Sequence, residues 1–107
     1  MRAELLPGTL EMLILKALSL APMHGYAIAQ HLRQISDEVL HVEEGSLYPA
    51  LQRLLAKRWV RAAWRESPTK RRARYYTISV AGRKQLGAQE TGFADLISAI
   101  ARVMSES

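Results

Sequence analysis

Across Trp59 the spacing of apolar residues changes period, and that change restricts the chain to few architectures. Before it, Leu47, Leu51, Leu54 and Leu55 recur at helical spacing and form one apolar face. After it, Val60, Ala62 and Trp64 point to one side of an extended segment, and Arg61, Ala63 and Arg65 to the other. Residues 67–72 (Ser-Pro-Thr-Lys-Arg-Arg) read as a turn, and residues 74–79 as a second strand with Tyr76 and Ile78 inward. A short helix therefore runs into a β-hairpin with a strongly basic tip. In that helix Gly45 breaks the preceding segment and Ser46 is a suitable N-cap. Pro49 then falls in the first turn, where its missing N–H removes no intrahelical bond. Ser46, Tyr48, Gln52, Arg53 and Lys57 are left facing mostly outward. Taken alone, this segment is equally an ordinary amphipathic surface helix.

Upstream, residues 1–8 read as an arm ending in Pro7-Gly8, after which Thr9 caps a first helix with Glu11 in its first turn, where a negative charge suits the dipole. Leu10, Leu13, Ile14, Ala17 and Leu18 make one stripe, and Met12 and Leu15 widen it until the helix is apolar nearly all round. Such a helix is buried on more than one side, and in a small chain a second subunit is an economical cover. Pro22 ends it. A second helix follows from residues 23–26 to about Gln34, with Tyr26, Ile28, Ala29 and Leu32 as core contributors. His24 and His31 have no Cys or carboxylate partner at ligand spacing, and both, with His41, are taken as ordinary surface or supporting histidines. Residues 36–38 connect, and residues 39–42 alternate weakly enough to suggest a short strand.

Downstream, residues 80–104 read as one long helix. Leu86, Phe93 and Ile100 repeat every seven residues, and Leu96, Ile97, Val103 and Met104 fill the adjacent positions, as in a coiled-coil seam. Gly82, Gly87 and Gly92 each weaken that helix by about 1 kcal/mol relative to Ala, so packing must hold it. A homodimer provides such packing; folding back on its own domain is the alternative.

Charge distribution narrows the partner. Of fifteen basic residues, eleven lie between Arg53 and Lys84 with only Glu66 opposing them, giving that segment +10 within a chain of net charge +5. A surface so biased suits a polyanion, although a solvated basic face would also aid solubility. At 107 residues the chain is one domain, and 49% hydrophobic residues are enough for a core. The lack of Cys fits a reducing cytoplasm, and no signal peptide or membrane span is visible. No nucleophile elbow, HExxH or P-loop pattern occurs, so an enzyme is not expected, and no metal or cofactor is implied.

The order helix, helix, helix, basic hairpin, long helix is that of a winged helix-turn-helix: mainly α, with a β-hairpin wing and a C-terminal dimerisation helix. Residues 1–79 would form the DNA-binding domain and residues 80–107 the dimerisation helix packed on it. Double-stranded DNA is the expected partner, with Tyr26, Gly45, Ser46, Tyr48, Pro49 and Arg53 from the helices and Lys70, Arg71, Arg72 and Arg74 from the wing. Ser46 and the amides of its turn suit a phosphate oxygen, Tyr48 a phosphate or thymine methyl, and Arg53 a guanine or phosphate. The four wing cations would give sequence-independent affinity. A dimer seam would use Leu10, Leu13, Leu86, Phe93, Leu96, Ile97, Ile100, Val103 and Met104. The competing reading is a winged-helix module that binds protein, against which the basic wing argues. Single-stranded RNA binding lacks the aromatic open sheet it would need.

Three motifs carry a family resemblance: His24-Gly25-Tyr26-Ala27-Ile28; Gly45-Ser46-Leu47-Tyr48-Pro49-Ala50-Leu51-Gln52-Arg53-Leu54; and Arg72-Ala73-Arg74-Tyr75-Tyr76 leading to Ala81-Gly82. In that order they cover nearly the whole chain, which resembles a PadR-type transcriptional regulator. The resemblance implies a homodimeric, cytoplasmic, prokaryotic repressor on an inverted-repeat operator. The single short C-terminal helix is similar to the family's compact branch, in which that helix builds the dimer interface. Some compact members take a flat aromatic effector in a pore between subunits, stacked on paired tryptophans. Phe93 stands at the corresponding position, a smaller ring without an indole N–H, for which plain dimer packing is the other role.

Overall fold

The computed structural model describes Leu5 and residues 7–106. Helix α1 (Pro7–Leu20) is followed by strand β1 (Met23–His24), helix α2 (Gly25–Ile35), helix α3 (Glu44–Ala56), strands β2 (Val60–Glu66) and β3 (Arg72–Ile78), and helix α4 (Val80–Met104). The expected order of helices and hairpin is present, and α4 has the expected bounds. Three helices, a wing and a long final helix make a winged helix-turn-helix.

Helix α1 lies at the centre. Ile14, Leu15, Ala17 and Leu18 are buried, and the helix packs against α2, α3, α4 and β3. Its apolar girdle is therefore covered by its own chain, where a second subunit had been expected, because three helices and a strand can reach all its sides. Leu10 and Leu86, both expected at a subunit seam, are 3% and 6% exposed in this same core, and Leu13 packs against it half-buried. The helix also starts earlier than Thr9: Pro7 opens it, as proline's fixed φ and absent N–H allow in a first turn. Of the arm expected at residues 1–8, residues 1–4 and 6 lie outside the described residues. Glu11, expected in the first turn, is instead the fifth residue of the helix, and it is buried.

The segment expected to open α2 instead makes a two-residue strand. Met23 and His24 pair antiparallel with Tyr76 and Tyr75, so the hairpin becomes a three-stranded sheet of order β1-β3-β2. His24 then caps α2, its Nδ1 accepting the Ala27 N–H at 3.1 Å. Two residues are too few to show a period. Residues 39–42 form no strand.

Helix α3 begins at Glu44, two residues before the expected cap. Glu43 is the N-cap residue, and its carbonyl accepts from the Ser46 and Leu47 amides. Ser46 is thus inside the helix, and Pro49 is its sixth residue, leaving the Gly45 carbonyl without an intrahelical donor. The buried face is Leu47, Ala50, Leu51 and Leu54. At the other end Arg58 takes a left-handed φ of 61°, and the Trp59 and Arg58 amides return to the Leu54 and Leu55 carbonyls, closing a Schellman turn. Ser79 joins this corner to α4. Its amide donates to the Trp59 carbonyl (2.9 Å), and its hydroxyl donates to the Arg58 carbonyl (2.8 Å) and accepts from the Gly82 amide (3.0 Å). The backbones approach so closely that a methyl group on Gly82 would stand 2.1 Å from the Trp59 carbonyl oxygen.

Candidate nucleic-acid interface

Two surfaces are candidates, and they belong to consecutive elements in contact with each other: the outward row of α3 and the β2–β3 wing. On α3 the exposed row is Gly45, Ser46, Tyr48, Pro49, Gln52 and Ala56, opposite the buried leucines. Tyr48 is held in place by the preceding helix. Its ring lies so close to Gly25 that a Cβ there would stand 3.2 Å from ring carbon and hydroxyl oxygen, hence the need for glycine between His24 and Tyr26. Tyr26 is 69% exposed, an outward ring stacked beside His24, and contributes nothing to the core that was expected to include it. An open cleft of about 730 Å³ separates α2 from the start of α3, with Tyr26 and Tyr48 on its wall and the Arg33–Glu38 ion pair and His41 beside it.

The N-terminus of α3 is less suited to phosphate than expected. The Ser46 amide is taken by Glu43, and Glu43 and Glu44 put carboxylates at the positive end of the helix, where they offset the dipole that would attract an anion. The Ser46 hydroxyl remains exposed. Arg53, expected to reach a guanine or phosphate, instead donates from Nε to the Glu11 carboxylate of α1 at 2.6 Å. Lys57 shares that carboxylate at 3.5 Å, with its ammonium 4.8 Å from the Trp59 ring centroid.

The wing carries a large excess of positive charge, with Glu66 as its single carboxylate. Its tip is closed by the Lys70 amide donating to the Ser67 carbonyl (2.9 Å), with Pro68 at the second turn position, which its fixed φ favours. Lys70 follows in the left-handed region (φ 62°), the geometry of a three-residue hairpin loop. Ser67, nearly buried, braces the loop through its hydroxyl to Thr69 Oγ1 (3.0 Å). Lys70, Arg71 and Arg72 are thereby presented to solvent on a defined turn. Below the tip, arginines lie against aromatic faces: Arg65 over Tyr75 at 3.9 Å, Arg72 over Trp64 at 5.9 Å and Arg74 over Tyr76 at 5.9 Å. These contacts hold the guanidinium groups without neutralising them. Arg74, half-buried, reaches inward: burial raises the Tyr76 phenol above its ordinary range, Arg74 opposes that, and nearby Tyr48 adds to it.

Phe93, Leu96, Ile97, Ile100, Val103 and Met104 form a separate exposed stripe on α4, 42% to 77% accessible. Glu11, the Gly25–Tyr48 contact and the His24 cap were not foreseen as parts of this arrangement. Glu11 left a signal, since a carboxylate between Leu10 and Met12 on an apolar helix implies a buried cationic partner. The Gly25–Tyr48 contact depends on the α2–α3 crossing, whereas the His24 cap is local, made by a residue type that is not a usual cap.

Comparisons with known proteins agree with this geometry. Residues 14–88 match the model of the transcriptional regulator PadR-like family. A PadR-like transcription factor from Bacteroides fragilis is 30% identical, with a TM-score of 0.74 and 91% of each chain covered. A PadR family transcriptional regulator from Eggerthella lenta is 26% identical, with a TM-score of 0.80 over 94% of this chain and 85% of that one. An uncharacterized 37.1 kDa protein in transposon TN4556 of Streptomyces fradiae is 41% identical over 86 residues, or 80% of this chain, which spans only 23% of that relative's length.

Proposed function

Because this chain belongs to the PadR-like family of transcriptional regulators, we propose that it is a sequence-specific, homodimeric repressor that binds double-stranded DNA in the cytoplasm. In this reading α3 enters the major groove with Tyr48, Pro49 and Gln52 toward the base edges, and the wing lays Lys70, Arg71 and Arg72 along the adjacent phosphates. The supporting observation is the division of charge between the two surfaces: the exposed row of α3 carries no cation, whereas the wing carries Arg61, Arg65, Lys70, Arg71, Arg72 and Arg74 against the single carboxylate of Glu66. Such a pairing fits a helix that reads sequence beside a hairpin that supplies affinity. Tyr26 stands beside Tyr48 on the same side.

The stripe on α4 supports a second copy as partner. Such a dimer would present two recognition helices to one duplex, with the half-sites of an inverted repeat about one helical turn apart. An aromatic effector between the paired helices would meet Phe93.

The test is binding to a duplex from immediately upstream of the chain's own gene, against a scrambled duplex of equal length, over a salt series. A preference that survives moderate salt supports the reading. Equal binding that disappears with salt refutes sequence specificity, and no binding to either duplex would favour a protein-binding module.

A further inference from the structure

We propose that Glu11 is a charge latch on the third helix: it holds Arg53 and Lys57 against α1 and so keeps both cations off the phosphate backbone. The inference rests on the DNA-binding reading above and assigns a specificity-determining role to a residue outside the DNA-facing surface.

The geometry carries it. Glu11 projects from an apolar helix and its side chain is 6% exposed. Its two oxygens are divided between two cations one helical turn apart, Oε1 to Arg53 Nε and Oε2 to Lys57 Nζ. Arg53 and Lys57 are 41% and 46% exposed, so their side chains lie at the rim, open to solvent on the far side. Arg53 lies four residues beyond Pro49, only about 40° around the helix axis from the outward row. A side chain of that length, once released, reaches the groove edge. The Trp59 face holds Lys57 in the same inward pose.

Contrast with the wing shows what the carboxylate does. Arg65, Arg72 and Arg74 are held by aromatic rings, which orient a guanidinium and leave its charge intact. Arg53 and Lys57 are held by an anion, which orients them and lowers their joint charge. An apolar residue at position 11 would pack among the same leucines without desolvating a charge, since a well-packed apolar replacement of a buried ion pair is often neutral or stabilising. What the carboxylate adds is neutralisation beside the reading surface. Phosphate attraction there would strengthen binding to every sequence alike and so dilute discrimination.

The experiment measures the affinity of the full chain for a random-sequence duplex and for the upstream duplex across a salt series, in the wild type, in Glu11→Gln and in Glu11→Gln with Arg53→Gln and Lys57→Gln. Glu11→Gln is expected to steepen the log–log salt slope by about 0.9 to 1.8, one or two added phosphate contacts, and to raise affinity for the random duplex more than for the upstream one. The triple variant should return to the wild-type slope. An unchanged or shallower slope in Glu11→Gln overturns the latch. Should that variant fail to fold, the wild type decides: the ¹⁵N resonance of Arg53 Nε stays in place when duplex saturates the protein, while those of Arg71 and Arg72 move. Displacement of all three alike overturns the inference. A wild type with no salt-dependent DNA affinity removes the regulator reading itself, an outcome visible before any residue is changed.

Discussion

Single atoms set the tolerances of this fold most sharply at Gly82. A methyl group there would overlap the Trp59 carbonyl oxygen, which is fixed by the Ser79 amide and cannot retreat without opening the α3–β2 corner. Gly82→Ala is accordingly expected to lower unfolding free energy by about 1–3 kcal/mol in urea titration, despite alanine's better helix propensity. Tyr76 sets a limit on alkaline stability. Burial raises its phenol above the ordinary range, so the native state still holds the proton at a pH where the unfolded chain has released it. Stability should therefore fall as pH rises through about 10, the unfolded value, and continue falling until the native group ionises. Tyr76→Phe should flatten that dependence, as measured by denaturant midpoints between pH 8 and 11. A dependence identical in both proteins would assign the alkaline loss to other groups.

At the level of elements, the wing and α3 obtain exposure by different means. The wing places arginines outward because strand alternation and the tip turn leave them no apolar surface of their own, and aromatic faces support the long side chains. Arg71→Ala with Arg72→Ala is expected to weaken binding to the upstream and scrambled duplexes alike. Each lost phosphate contact should reduce the log–log salt slope by about 0.9. An unchanged slope would remove the wing from the backbone. Helix α3, in contrast, is held by its leucines and by Glu11, and its outward row carries no cation. The first-turn carboxylates Glu43 and Glu44 make its N-terminus a poor anion site, so its contribution is expected from Tyr48 onward.

For the whole molecule, the dominant feature is a helix that outruns its core. The chain extends 57 Å along its longest axis against 31 and 22 Å across it. Leu86 enters the core, whereas the stripe from Phe93 to Met104 is left exposed by the described residues. In the proposed homodimer, the matching stripe of a second copy would cover this face and stabilise the glycine-weakened helix. Ile100 is 46% exposed, so Ile100→Asp should leave the protomer folded by circular dichroism while sedimentation shows a particle near 12.0 kDa and operator affinity falls. A dimer that persists in this variant would place the contact elsewhere.

Period and charge along the chain were enough to specify the three helices, the hairpin, the long α4 and the basic wing, because each is a local pattern repeated over several residues. The start of α3 was misplaced by three residues, since Ser46 is a good cap in isolation and only the path from residues 36–43 decides where the helix begins. Strand β1 was invisible because two residues carry no alternation; it exists because β3 offers an unpaired edge. Leu10 and Leu86 look the same in sequence as Phe93 and Ile100, all apolar residues on helices, and packing alone divides them between core and surface. The same holds for charge. Composition placed Arg53 and Lys57 among eleven cations of one segment, and the fold, by bringing Glu11 from 42 residues away, removed those two from the free surface. Local patterns fix which elements form, whereas contacts between distant residues decide which faces and which charges stay available.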